Sequence, residues 1–380
     1  EEMLVAKDEE AVFRWIVRWS EAAARPEAEL MAVLQHVRFA TMKEGFVRDT
    51  VRAWPALLSA DGQRVLHVSL PPVVGGLQPL PRLGFGPRRI YLVGGLDCDG
   101  EVSTAWAYDP ALDSWCEVAS MAMKRCDHGA AALGGKLYVM GGTTDGEETT
   151  FDQAEMYDPT VDSWQPLPSM PTGRFFFATA AVAGKVYAIG GQNSDDKIHD
   201  AVEAYDPASG AWTRMASLSL ARSHHTATTV NGKIYVLGGV VRFGEAATCV
   251  IPTGRLDVYD PMTDSWQQLA AMSTARHSHS AAVLDGNIYV TGGRLRSGDF
   301  SDALEAYDPV ANTWTTLPSL SEARMLHSSA AFNGKLCVFA GCSPDYGRTD
   351  LVEVYNPASD NWGTAAGVPN ALESAVAVAL

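Results

Sequence analysis

A tryptophan recurs through most of this chain at intervals of about fifty residues, and fixed companions travel with it. Trp115, Trp164, Trp212, Trp266 and Trp314 each stand ten residues before an arginine (Arg125, Arg174, Arg222, Arg276, Arg324) and twenty-six before a Gly-Gly pair, or before Ala340-Gly341 in the last case. A tyrosine lies seven residues ahead of each of them and of Trp362: Tyr108, Tyr157, Tyr205, Tyr259, Tyr307 and Tyr355. Self-similarity at such a period marks a repeat architecture, in which a unit too small to bury its own face stacks on copies of itself. Six copies therefore define one domain over residues 89–380, rather than the two or three domains that length alone suggests.

Each repeat reads as four short strands. In the second, an alternating run over 178–182 passes through Ala183-Gly184 into Lys185-Val186-Tyr187-Ala188-Ile189. Asn231-Gly232, Asp285-Gly286 and Asn333-Gly334 occupy the equivalent turn, a strong hairpin signal because both residues must accept positive φ. A third strand ends at Tyr-Asp-Pro, where proline halts the ladder, and the fourth carries the Trp.

The first 70 residues differ. Asp8 can cap a helix whose Val12, Phe13, Ile16 and Val17 share a face, Pro26 suits the first turn of a second helix lined by Leu30, Val33, Leu34 and Val37, and a third is expected over 41–53. Residues 71–88, rich in Pro and Gly, read as a linker. A net charge of −16 disfavours a nucleic-acid surface. Six cysteines without a C-x-x-C pair disfavour zinc and a disulfide framework, so reduced thiols and a cytoplasmic protein, or a nuclear one, are expected.

The double glycine followed by Tyr and Trp seven apart, six times over, resembles the kelch motif across residues 89–380, with Ala340-Gly341 and Tyr355-Asn356-Pro357 as mild departures. Glu9-Glu10-Ala11-Val12-Phe13, Trp19 and Leu34-Gln35-His36-Val37-Arg38-Phe39 resemble the BACK domain of BTB-BACK-kelch proteins; no BTB domain lies within the sequence. The resemblance implies a mainly β protein, a six-bladed kelch β-propeller after a small α-helical BACK-like segment. It also implies a protein-interaction module, the substrate-recognition part of a cullin-RING ubiquitin ligase adaptor, with cullin reached only through a BTB domain outside this chain. The alternatives are a kelch scaffold for actin and a kelch-type small-molecule enzyme such as a sugar mutarotase.

Residues present in every blade meet the same environment each time, so Trp115, Trp164, Trp212, Trp266, Trp314, Trp362 and the five arginines read as structural. The arginines are expected to pair with Glu155, Glu203, Asp257, Glu305 and Glu353, two residues before each Tyr. His128, His225, His279 and His327, thirteen residues after their Trp, should encircle the axis as packed or pore-lining groups, too far apart to share a metal. A triad can be drawn from Ser223, His224 and Asp195, but serine and histidine are common enough to make it a weak signal. No enzyme, cofactor or metal is expected, and neither a nucleic acid nor a membrane is expected as partner.

With strands lettered A to D, parity puts the B-to-C loops and D-to-A connections on one face, where variable residues suggest a partner protein docks. Blades one to three place Asp97, Asp99, Glu101, Asp145, Glu147, Glu148, Asp195 and Asp196 there, while blades four to six place Arg242, Arg294, Arg296, Tyr346 and Arg348. The longest such loop, over 240–255, carries Phe243 and Cys249. The ring should close through 374–380 as strand A of blade one, in preference to 65–70. Leu372 then replaces the repeated arginine, and Trp106 the repeated carboxylate, in the same blade.

Overall fold

A computed structural model of the chain describes residues 89–144, 149–242 and 250–380. The expected helical segment and linker, the rival closing strand over 65–70, and Asp145, Glu147, Glu148, Phe243 and Cys249 lie outside the described residues.

Six four-stranded antiparallel sheets follow one another along the chain. Strand B is buried beyond its first residue and nearly all apolar there, as in Lys185–Ile189, and in Ile90–Val93 it is apolar throughout, because each sheet is covered by neighbours on both faces. Strand D alternates, and in Thr313–Leu317 the Trp314 ring faces inward between exposed residues. The A-to-B turns use two successive residues at positive φ, such as Asn231 (49°) and Gly232 (74°).

Strand A of each sheet lies against strand A of the next, and the series returns on itself through Val376–Ala379, which contacts both Gly129–Leu133 and Ser328–Phe332. The result is a closed six-bladed β-propeller. Its first blade is completed by the C-terminal strand: Val376–Ala379 pairs antiparallel with Ile90–Val93, Ile90 opposite Ala379. The other edge of Ile90–Val93 is taken by Ala105–Asp109, so no edge remains for a different closing strand.

The core is divided among the six gaps between blades. Between blades six and one it contains Phe339, Val352, Leu372, Ile90 and Tyr108. Each Trp Nε1 donates to a carbonyl of the preceding blade, as Trp164 does to Ala119 at 2.6 Å, and Trp115 does so across the closure, to Ala366 at 3.0 Å. In five blades the Tyr hydroxyl donates to an Asp or Asn five residues later, as Tyr259 does to Asp264 at 2.6 Å. In four, the same oxygen also accepts a backbone N–H of the preceding blade. Together these bonds make an outer girdle that fixes blade against blade.

The repeated arginines are buried, and each pairs with the carboxylate the spacing assigned to it: Arg125 with Glu155 (2.8 Å), Arg174 with Glu203 (2.7 Å), Arg276 with Glu305 (3.0 Å), Arg324 with Glu353 (2.5 Å) and Arg222 with Asp257. Asp257 has a shorter side chain and also accepts from Arg255 at 2.7 Å. Arg174 Nη1 donates in addition to the carbonyl of Gly190, tying the double glycine to the pair. A buried ion pair of this kind fixes geometry more than it adds net stability. In blade one Leu372 sits in the apolar core, and the indole nitrogen of Trp106 is buried without a hydrogen-bond partner.

Candidate functional site: the axial mouth and its rim

Two residues beyond each repeated arginine, and beyond Leu372, the backbone enters the left-handed region. Asp127, Phe176, His224, Ser278, Leu326 and Ser374 have φ between 50° and 55°. Such a conformation in a non-glycine residue costs roughly 1 kcal/mol or more, so the surroundings must enforce it. What enforces it is a ladder of backbone bonds around the axis. The N–H of Phe176 donates to Asp127 O (3.0 Å), His224 to Phe176 (2.8 Å), Ser278 to His224 (3.0 Å), Leu326 to Ser278 (2.9 Å) and Ser374 to Leu326 (2.9 Å). All six residues line one cavity of about 130 Å³ at the axis.

The next position along carries the histidines. His128, His225, His279 and His327 are buried, and each presses its ring edge on the first glycine of the preceding blade's pair. A Cβ on Gly94 would lie 2.7 Å from His128 Cε1, and one on Gly292 would lie 2.6 Å from His327 Cε1. Phe177 takes the place in blade three, against Gly141. In blade one the place falls to Ala375, and there alone the partner is Ala340 rather than glycine. The departure in the last Gly-Gly pair is thus matched by a smaller side chain opposite it. Burial, reinforced by the neighbouring arginines, holds His128 and His327 down to about 3 and His225 and His279 well below the usual range, so all four are neutral at pH 7. Among the described residues no three histidine nitrogens converge; the one group of three potential ligand atoms within 4.8 Å is Asp97, Cys98 and Asp99, on a surface hairpin.

Aromatic rings form one wall of the mouth. Phe176 and His224 stack with centroids 3.6 Å apart, and His277, which does not itself line the cavity, meets His224 edge-on at 5.6 Å. Ser223 Oγ donates to Gln192 Oε1 at 2.8 Å and lies 3.1 Å from His224 Nδ1. The third member of the drawn triad is elsewhere: Asp195 is exposed and contacts Asn193 at 3.4 Å, so no carboxylate orients His224 and the triad is not assembled.

Outside the mouth, the B-to-C connections form small hairpins, among them Val240–Arg242 with Val250–Pro252 and Cys342–Ser343 with Gly347–Arg348. Asp97 accepts the N–H of Asp99 at 2.8 Å, and Asp99 and Asp195 are exposed. Arg242 and Arg296 are exposed, Arg294 donates to Gly298 O at 3.1 Å, and Tyr346 stands 79% exposed. Arg348 is different, because Glu373 holds it at 2.9 Å. The basic part of the rim therefore rests on Arg242, Arg294 and Arg296. Sequence reasoning missed the six ring positions, whose side chains have no common type; their place two residues after the repeated arginine was the available signal.

The KLHDC2/KLHL20/DRC7 Kelch-repeats domain matches residues 72–239, 127–341 and 225–377, and the BTB And C-terminal Kelch domain matches residues 1–52. This chain belongs to the kelch-repeat family. An F-box/kelch-repeat protein of Arabidopsis thaliana is 41% identical over 64 residues, 17% of this chain and 14% of that protein. Kelch-like protein 15 of Danio rerio is 48% identical over 48 residues (13% and 8%), and Kelch-like ECH-associated protein 1A of Danio rerio is 46% identical over 41 (11% and 7%). The matched stretches thus span at most about a seventh of these kelch relatives. The solved structure of YjhT, 17% identical, overlays on 75% of this chain and 99% of its own with a TM-score of 0.60, a likeness of fold.

Proposed function

We propose that this kelch chain is a non-catalytic recognition module that captures a partner protein on the axial face of its propeller. It would then act as the substrate-recognition part of a cullin-RING ubiquitin ligase adaptor in the cytoplasm or nucleus. The observation that carries the reading is the ring at the mouth: six positions share one backbone conformation and are joined in series by five backbone hydrogen bonds, yet display Asp127, Phe176, His224, Ser278, Leu326 and Ser374. A rigid frame with variable display is how scaffolds present binding residues. The rim adds electrostatic asymmetry, which sets orientation and on-rate more than affinity. The kelch and BACK matches support the adaptor role, cullin being reached through a BTB domain outside this chain.

The test is capture of partners from cell extract by the full chain, compared with Arg294→Glu/Arg296→Glu and with Met262→Glu/Val310→Glu in the exposed turns between strands C and D. The rim pair should weaken capture about tenfold and flatten its salt dependence, the turn pair should leave it unchanged, and captured partners should accumulate when the protein is depleted. Loss of capture by the turn pair alone would place docking on the other face, as a cytoskeletal scaffold could require.

A further inference from the structure

The axial mouth is bordered by one formal charge, and that charge is negative. We propose that the mouth seats one cationic side chain of the partner protein, a lysine or an arginine, whose head group meets the Asp127 carboxylate and Nε2 of His224. The proposal rests on the reading of this face as a protein-docking surface and deepens it.

Charge comes first. Asp127 is the one carboxylate among the described residues that line the cavity, and no lysine or arginine is among them. The four imidazoles beneath are neutral at pH 7. His224 is neutral as well, held down to about 3 by burial and by His277 beside it. An anionic guest therefore finds no cation to offset its desolvation, whereas a cationic guest finds Asp127. Exposed Asp99 and Asp195, on the hairpins of blades one and three, flank the blade that carries Asp127 and extend its negative potential outward.

The hydrogen-bonding groups a guest can reach are acceptors. Ser223 gives its one proton to Gln192 Oε1 at 2.8 Å, so its 3.1 Å contact with His224 requires Nδ1 to donate. That tautomer leaves the lone pair on Nε2. This atom has no hydrogen-bond partner among the described residues and, unlike the ring nitrogens of His128 and His225, it is not sealed from solvent. A carboxylate has about four acceptor sites, so bonds that Asp127 makes within the protein leave room for another donor. Phe176 N–H donates to Asp127 O and His224 N–H to Phe176 O, which sets the two acceptors on either side of one aromatic residue. Lysine and arginine side chains carry donors and no acceptor, together with the charge that matches Asp127. Size and lining agree. About 130 Å³ is close to the cavities of about 150 Å³ that hold a single benzene ring, enough for one side chain and too little for a folded element. Phe176 and Leu326 stand opposite each other in ring order and offer apolar surface to the methylene stem. Asp127, Phe176, His224 and Leu326 are all half-buried, so each contact is with a surface open to the guest, and the buried imidazoles take no part.

The experiment uses the full chain with its histidine rings labelled for NMR, titrated with the N-acetyl amides of lysine, arginine, norleucine and glutamate. Single residues of this size bind in the millimolar range, within reach of chemical-shift titration. At least one of the two cations should shift the His224 Nε2 signal and saturate about tenfold below norleucine, which has the stem without the charge, and glutamate should leave the signal in place. Whichever cation saturates first identifies the side chain. Asp127→Asn removes the charge at nearly the same shape, and asparagine accepts the left-handed conformation, as Asn231 and Asn312 do in this chain. With a melting scan showing the propeller intact, it should erase the advantage of cation over norleucine and weaken partner capture about tenfold. No response to either cation, an equal response to norleucine, or a cation preference that survives Asp127→Asn overturns the seat. Capture that is lost on rim charge reversal but untouched by Asp127→Asn also overturns it and leaves the docking face standing.

Discussion

The outer girdle and the inner ring of this propeller are built on the same sixfold backbone, yet they treat side chains oppositely. In the girdle, Tyr and Trp recur in all six blades at centroid distances between 4.9 Å (Tyr108–Trp115) and 5.4 Å (Tyr205–Trp212), because every Trp must reach the same carbonyl of the blade before it. On the ring, the bonds between blades run from backbone N–H to backbone C=O, which any residue except proline supplies. Side chains there are released from holding the fold. A position whose structural duty is carried by main chain is free to vary, and that freedom lets a symmetric scaffold acquire an asymmetric binding site.

The closing strand tests this division most severely, since it contributes to both regions at once. Deleting residues 374–380 removes one ring member, the side chain facing Ala340, and every partner of the inner edge of Ile90–Val93. Loss of an entire central strand strips the apolar layers on both sides of blade one. We expect no cooperative unfolding transition of the native propeller in the truncated chain, checked by denaturant titration followed through tryptophan fluorescence. A truncated chain that still unfolds cooperatively near the parent midpoint would mean that girdle bonds such as Trp115 to Ala366 close the ring unaided.

Acid separates the regions by a smaller amount. An imidazole held neutral in the folded state binds fewer protons than in the unfolded chain. The stability it contributes is therefore complete above the unfolded value near 6.5 and drains away as pH falls toward the folded value. For His128 and His327, with folded values of about 3, the loss is about 1.4 kcal/mol each per pH unit across that window. Girdle carboxylates respond later. Asp113, lowered by the N–H of Ala366 and the hydroxyl of Tyr108, and Asp264, lowered by Tyr259 and the N–H of Ala216, start from 3.8 and matter only below it. Unfolding free energy measured in urea should therefore fall between pH 6.5 and 5, before the carboxylates titrate. His327→Phe, the residue type that Phe177 supplies at the equivalent place, should reduce that slope by one histidine's share. A flat profile over this interval would show the imidazoles to be solvated rather than packed.

Much of this was legible in the sequence, for a reason the two regions make plain. Residues that do one job six times leave a periodic trace, so the blades, the arginine–carboxylate pairs and the closing strand could be read from spacing and from two exceptions, Leu372 and Trp106, falling in one blade. The ring left no trace in residue type, only its place two residues after each repeated arginine, because Phe176 or Leu326 in a left-handed conformation breaks residue preference and is imposed by neighbouring blades. The histidines were placed at the axis by spacing, but their packing on glycine depends on how adjacent blades meet. Arg348 looked like its fellow rim cations because its partner Glu373 lies in a different part of the repeat.

The finest comparison lies within the girdle, at the one boundary where both the donor and the acceptor of its polar link are missing. Tyr205 is followed five residues later by Gly210 instead of Asp or Asn, and the preceding blade offers Pro168 where four others offer an N–H; Pro318 stands before the Trp362 blade in the same way, but there Asp360 keeps the acceptor. Acceptor and donor are absent together, and Trp212 to Pro168 O, at 2.9 Å, is the girdle bond that remains. Gly210 has a φ of 66° and nothing within 4 Å of an added Cβ, so an aspartate fits where Asp162 and Asp264 already adopt the same conformation. Gly210→Asp alone regains the Tyr205 hydroxyl bond but carries the strain of a left-handed residue, for a net change near zero. Pro168→Ala alone frees an N–H with no acceptor and lowers stability slightly. Together they rebuild the link seen between Asp264 and Ala216, and a double-mutant cycle should give a favourable coupling of about 0.5–1.5 kcal/mol. A coupling of zero would mean that the outer polar bonds follow from blade packing rather than contribute to it, and the girdle would reduce to its tryptophans.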